Sequence, residues 1–140
     1  MHIRPFEASD RATVIALWQA CGLIRPWNDP SRDIDRKLTV QPELFLVGEL
    51  DGRVIASVMA GYEGHRGWMN YLAVEPASRS RGHARRLVEA VEQQLGARGC
   101  PKLNLQVRAD NADVVAFYEA MGYAVDPVVS MGKRLIADGR

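Results

Sequence analysis

The sequence holds only two cysteines, Cys21 and Cys100, and three histidines, His2, His65 and His83. The cysteines lie far apart and match no metal-ligand spacing, and no histidine is spaced to join them, so no metal site is expected. Two thiols in a reducing compartment is the plain reading. Charge of either sign is scarcely in excess: 18 Lys and Arg stand against 17 Asp and Glu, a formal net charge of +1. A nucleic-acid module normally carries a larger basic surplus, so no nucleic-acid partner is expected. No apolar run approaches the length of a membrane span. The opening Met1-His2-Ile3-Arg4-Pro5 lacks the apolar stretch of a signal peptide. The expectation is a cytoplasmic protein with no membrane partner. There is also no repeat, low-complexity tract or linker, so residues 1–140 read as one domain with one core.

What is present is ordinary globular material, 47% hydrophobic and 25% charged. His2 to Phe6 reads as a strand. Ser9 or Asp10 can cap a helix whose stripe is Val14, Leu17, Trp18 and Cys21, with Gly22 placed to end it. After the turn-rich Arg25-Pro26-Trp27-Asn28-Asp29-Pro30, Ser31 to Val40 predicts a short polar helix. Leu44 to Leu50 and Arg53 to Gly61 read as strands joined by Asp51-Gly52, a hairpin signal. Trp68 to Glu75 is a strand stopped by Pro76. Arg81 to Arg98 is the longest helix, with stripe Ala84, Leu87, Val88, Val91 and Leu95, closed by Gly99 and Pro101. Leu103, Leu105 and Val107 alternate with polar residues as a half-buried strand does. Asn111 to Met121 is a helix, and Val125 to Leu135 predicts one or two closing strands. The sum is an α/β domain, a mixed sheet of about six to seven strands flanked by about four helices.

The chemistry concentrates where the fourth strand hands over to the longest helix, Leu72-Ala73-Val74-Glu75-Pro76-Ala77-Ser78-Arg79-Ser80-Arg81-Gly82-His83-Ala84-Arg85-Arg86. A first helical turn leaves backbone N–H groups without partners, and with the helix dipole they make an anion site. Gly82 and Ala84 offer almost no side chain, so a phosphate can approach the backbone. Arg79, Arg81, Arg85 and Arg86 focus positive charge there. Gly82-His83-Ala84 is not the Gly-Lys-Ser/Thr of a P-loop, and no G-x-G-x-x-G follows an early strand.

Arg79-x-x-Gly82-x-Ala84 resembles the R/Q-x-x-G-x-G/A signature of the GNAT superfamily of N-acetyltransferases. The preceding Val74-x-Pro76 agrees. So does the later Asn111 with Phe117-Tyr118-Glu119-x-Met121-Gly122-Tyr123, at a distance that fits helix, strand, helix. Arg25 to Pro30, Gly61 to Gly67 and Ala97 to Lys102 are similar to the YpeA-like subgroup. The resemblance spans essentially the whole chain. It implies a GNAT-like fold with splayed central strands, acetyl-CoA as acyl donor and direct transfer to an amine. It also implies that Leu72, Ala73 and Val74 line the pantetheine arm, and that Ser80, Arg81, Gly82, His83, Ala84 and Arg85, next to Arg79, surround the pyrophosphate. Asn111 would bond the pantetheine, and Tyr118 would protonate the departing thiolate. A homodimer is common in such a family.

The acceptor side is read from polar and aromatic residues near loops and strand ends: Trp27, Asn28, Asp29, Tyr62, Glu63, His65, Arg66 and Tyr71. Asp29 or Glu63 would pair with a cationic amine, and Arg66 would hold a carboxylate. Relatives that acetylate protein N-termini often carry glutamate where this chain has Gln106, which cannot act as a base. Glu63 is the first substitute expected, with His65, Glu75 and Asp110 behind it; a chain of waters would also serve. A CoA-binding sensor that has lost catalysis is the competing reading.

Overall fold

The computed structural model describes residues 1–138. Five strands form one sheet in the order β1-β2-β3-β4-β5: β1 (His2–Pro5), β2 (Phe45–Leu50), β3 (Arg53–Tyr62), β4 (Gly67–Val74) and β5 (Leu103–Leu105). The first four pair antiparallel and β5 joins β4 in parallel, so the sheet is mixed. Four helices flank it: α1 (Arg11–Ala20), α2 (Pro30–Lys37), α3 (His83–Ala97) and α4 (Ala112–Ala120).

Each element has a local cause. Asp51 and Gly52 both take left-handed φ (52° and 76°), the geometry of a two-residue hairpin between β2 and β3. Asp29 accepts from the Ser31 and Arg32 N–H groups at 2.9 and 3.2 Å and so caps α2, with Pro30 as its first residue. The sheet is buried on both faces. Val14, Leu17, Trp18 and Ile34 cover Phe45, Val47 and Met59 on one side. Leu87, Val88, Val91, Leu95 and Tyr118 cover Leu46, Ile55, Val58 and Met69 on the other. Double coverage explains why β3 is buried without a break from Val54 to Ala60 and shows no alternation, Ser57 being its one polar residue there.

The strand count is corrected at the C-terminus. Residues 124–138 form no strand, and β5 stops at Leu105 instead of reaching Val107. Pro127 lacks an N–H and bends the chain, with the Val128 N–H bonded to Asp126 O at 2.9 Å. The segment is tied by side chains instead of a ladder: Lys102 to Asp126, Gln106 to Ser130, and Arg36 to Asp138 at 2.7 and 2.8 Å.

Candidate active site

The site begins where β4 parts from β5. Their pairing covers only Gly67↔Leu103, Trp68↔Asn104 and Met69↔Leu105. From Asn70 to Val74 no strand lies beside β4 on that side among the described residues, so the strand edge there is open to an extended ligand. Just past the parting, β4 bulges. Ser57 faces Ala73 and Met59 faces Asn70, so Tyr71 and Leu72 stand opposite the single residue Val58. Tyr71 takes φ 53°, a left-handed conformation that costs a bulky residue about 1–3 kcal/mol.

At the far end of β4 the chain turns into α3. Ser80 (φ 64°) and Gly82 (φ 80°) are left-handed, and a Cβ placed on Gly82 would meet nothing within 4 Å. A cleft of about 340 Å³ opens at this turn. Val74, Arg79, Ser80, Gly82, His83, Ala84 and Arg85 of the expected set line it; Ser78, Phe117 and Ala120, which sequence reasoning missed, complete it. Phe117 and Ala120 both come from α4.

The arginines divide their work. Arg79 folds back, its Nε donating to Val74 O at 3.2 Å, and so braces the strand end. Arg86 donates to Met1 O at 2.8 Å. Arg81 and Arg85 are exposed and form no ion pair among the described residues, which leaves both for a ligand's negative charge. Both imidazole nitrogens of His83 are buried with no hydrogen-bond partner among the described residues. Buried polar groups are seldom left so, and a phosphate-bearing ligand would supply the missing acceptor. The cleft therefore fits a pyrophosphate group on three counts: open space over Gly82, first-turn N–H groups and spare donors.

Tyr118 is 7% exposed in the core beside this cleft, edge-on to Phe117 and Tyr123 at 5.0 and 5.5 Å. Burial pushes its hydroxyl up to about 12, so it keeps its proton at neutral pH. It makes no hydrogen bond among the described residues, which suits a donor held for an incoming anion. Asn111 caps α4, its Oδ1 accepting from the Val114 N–H at 3.3 Å.

On the opposite face of the sheet, the α1–α2 loop reaches β4. Asn28 Nδ2 donates to the Tyr71 hydroxyl at 2.7 Å, and that hydroxyl donates to Asp33 Oδ2 at 2.6 Å. The Arg108 guanidinium lies 5.8 Å from the centre of the exposed Trp27 ring, linking this loop to the one after β5. Asn28 and Tyr71 thus come together as expected residues, joined by Asp33, which was not foreseen; Trp27, next to Asn28 in the chain, meets Arg108, also not foreseen. Asp33 lies 38 positions from Tyr71 in sequence, and no local pattern joins them.

The other acceptor-side residues do not gather here. Asp29 is consumed as the α2 cap. Tyr62, Glu63, His65 and Arg66 form the β3–β4 hairpin at the C-terminal end of α3, where a Cβ on Gly67 would press on Leu95 and Cys100. Tyr71 lies four residues from Gly67, roughly 13 Å along the strand. Glu63 spends its carboxylate on the His65 and Arg66 N–H groups, and Tyr62 donates to Gly64 O at 3.1 Å. The hairpin's polar side chains therefore close a turn instead of facing the split in the sheet. Glu75 is held by Arg53 and Ser78, which keep its carboxyl below the usual range. Gln106 donates to Ser130.

Comparison with known proteins shows the family and the fold. The profile of the Acetyltransferase (GNAT) family matches residues 11–123. An acetyltransferase of Yersinia enterocolitica is 53% identical over 138 residues, covering 99% of this chain and 98% of its own. Ard1 from Thermoplasma volcanium superposes with a TM-score of 0.80 at 21% identity, over 89% of this chain and 83% of its own. A predicted acetyltransferase from Clostridium acetobutylicum, solved with acetyl-CoA, superposes with a TM-score of 0.72 at 17% identity, over 94% and 95%. The fold, the glycine turn at the start of α3 and a family match running from α1 to Tyr123 converge: this chain belongs to the GNAT family of acetyltransferases.

Proposed function

We propose that the protein moves an acetyl group from acetyl-CoA directly to the nitrogen of a primary amine. The observation that carries this is the parting of β4 from β5, which opens one strand edge between the cleft at the start of α3 and the wall built by Trp27, Asn28, Tyr71 and Asp33. An extended pantetheine arm fits the vacant edge as a missing strand would, along Leu72, Ala73 and Val74. The backbone N–H groups from Ser80 to Arg85 take the pyrophosphate, with Arg81 and Arg85 adding charge. The structure solved with acetyl-CoA has the same fold, which supports this donor.

The arm then brings the thioester carbonyl to the bulge at Tyr71 and Leu72, where main-chain N–H groups stabilise the oxygen as it gains negative charge. The amine arrives from the opposite face as the neutral base, attacks the carbonyl carbon and forms the C–N bond. The C–S bond breaks and the sulfur takes its proton from the Tyr118 hydroxyl, while the nitrogen sheds its own proton to water. Asp33, which accepts from the Tyr71 hydroxyl and lies 3.5 Å from the Arg36 guanidinium, adds a polar group to the acceptor wall in this reading. Neither Cys21 nor Cys100 has a neighbouring base among its contacts, so no acyl-enzyme enters the scheme.

Acetyl-CoA as donor and two free thiols support a cytoplasmic setting. A homodimer belongs to the same reading: Val125, Val128, Val129, Met131 and Leu135 are each more than three-quarters exposed, an apolar stretch that a second copy would cover. Sedimentation velocity reads this directly, and a strictly monomeric protein at high concentration would remove it. The activity itself is tested by thiol release from acetyl-CoA across a panel of mono-, di- and peptide amines. Release above the buffer rate with at least one amine is the expected result. Tight acetyl-CoA binding with no release across the panel would favour a CoA sensor.

A further inference from the structure

We propose that Ser57 and Trp18 are positioning residues for the transfer: their buried hydrogen-bond chain holds the bulge at Tyr71 and so sets where the thioester carbonyl sits. The inference rests on the proposed acetyl transfer and goes beyond it to two fully buried side chains.

Tyr71 is the residue that needs holding. It is bulky, left-handed, and placed one residue past the start of the open edge of β4. Such a conformation persists only where its surroundings dictate it. Asn28 and Asp33 hold the Tyr71 hydroxyl, and two further contacts trace to Trp18. The Trp18 ring stacks on the Tyr71 ring with centroids 3.8 Å apart and planes 15° from parallel. The Trp18 Nε1–H donates to Ser57 Oγ at 2.8 Å, and the Ser57 hydroxyl donates to Tyr71 O at 3.0 Å. One tryptophan thus holds the side chain of the bulged residue directly and its carbonyl through a serine.

Ser57 is out of character with its strand. It is the one polar residue in Val54-Ile55-Ala56-Ser57-Val58-Met59-Ala60, and both it and Trp18 are fully buried. A hydroxyl in such a place needs both its donor and its acceptor used, and here both are. It faces Ala73 in register, the last pair before the two strands fall out of step. Its hydroxyl therefore stands at the point that decides whether β4 bulges or runs on straight. Without it, Tyr71 O loses that donor and the buried Trp18 N–H loses its acceptor. The strand regains them only by shifting, and the N–H groups at 71 and 72 move with it. Displacing a stabilising donor relative to a reacting carbonyl costs rate far more than it costs binding of the long CoA molecule.

The test uses the full chain with [13C-carbonyl]acetyl-CoA and needs no identified amine. Bound to the wild type, the thioester C=O stretch is expected at lower wavenumber than in free acetyl-CoA, because the bulge N–H groups polarise it. In Ser57→Ala that downshift should disappear or broaden while acetyl-CoA affinity stays within about threefold of wild type. Transfer to any amine active with the wild type should slow roughly a hundredfold in single turnover. Trp18→Phe keeps ring contact with Tyr71 and the Ser57-to-Tyr71 bond, so a partial loss of the downshift is expected; this variant carries the test if Ser57→Ala does not fold. A wild-type carbonyl frequency in both variants overturns the assignment. A wild type that binds acetyl-CoA with no downshift overturns it too, with the acetyl-transfer reading intact. A wild type that binds no acetyl-CoA removes both.

Discussion

Replacing Tyr118 with phenylalanine keeps the ring, its edge-on contacts with Phe117 and Tyr123 and its place in the core, and removes only the hydroxyl. That hydroxyl bonds nothing among the described residues, so its loss orphans no partner and stability should be unchanged or slightly raised. Acetyl-CoA affinity should also stay near normal, since Tyr118 does not line the cleft at the start of α3. The rate is different. A thiolate expelled into a dry site needs a proton, and a positioned general acid contributes a hundredfold or more, about 2.7 kcal/mol of barrier. Burial strengthens the case, because a hydroxyl pushed up to about 12 is fully protonated throughout the range in which the enzyme would be assayed. The sign follows: Tyr118 contributes no fall in rate until pH climbs towards that raised value, so any loss of rate nearer neutrality belongs to another group. The assay is single-turnover acetyl transfer by rapid quench, where product release cannot mask a chemical defect. A Phe variant within about a factor of two of wild type would refute the reasoning and return Tyr118 to the core, since a hydroxyl that supplied the proton would be worth far more.

Gly82→Ala should weaken acetyl-CoA binding at least about tenfold, near 1.4 kcal/mol, because a β-carbon would fill the space over the turn and φ 80° suits only glycine; titration calorimetry reads it, and unchanged affinity in a folded variant would unseat the anion site. Glu63→Gln should leave kcat within about twofold of wild type, because its carboxylate serves the hairpin's own N–H groups; a rate collapse with normal folding would restore it as a base. Arg36 holds the Asp138 carboxyl down at about 2. A depressed carboxyl stabilises the folded state above the usual aspartate range and loses that contribution as pH falls through its own value. Hydrogen exchange should therefore show the C-terminal segment loosening from α2 between about pH 4 and pH 2 before the sheet opens, and simultaneous opening of both would contradict the tether.

What the sequence determined by itself is what short-range physics determines. The stripes of α1 and α3, the Asp51-Gly52 hairpin and the small-residue turn at Ser80 to Ala84 depend on neighbours within a few positions, and each appears where the periodicity places it. The cleft at the start of α3 was legible for the same reason: a strand end, a glycine and a helix start are consecutive in the chain. The closing segment misled because its apolar residues suit a strand, while Pro127 and the side-chain ties to Lys102, Gln106 and Arg36 deny it a ladder. Asp29 and Glu63 carry the right charge for an acceptor site, but each is used by the backbone beside it, as a helix cap and a turn brace. The cluster of Asn28, Asp33 and Tyr71 and the bulge belong to the tertiary structure alone. Asp33 meets Tyr71 across 38 residues and Trp18 meets Ser57 across 39, and a register shift between β3 and β4 decides what both pairs hold. Such contacts follow from packing two helices on a twisted sheet, which fixes distances that no local pattern along the chain records.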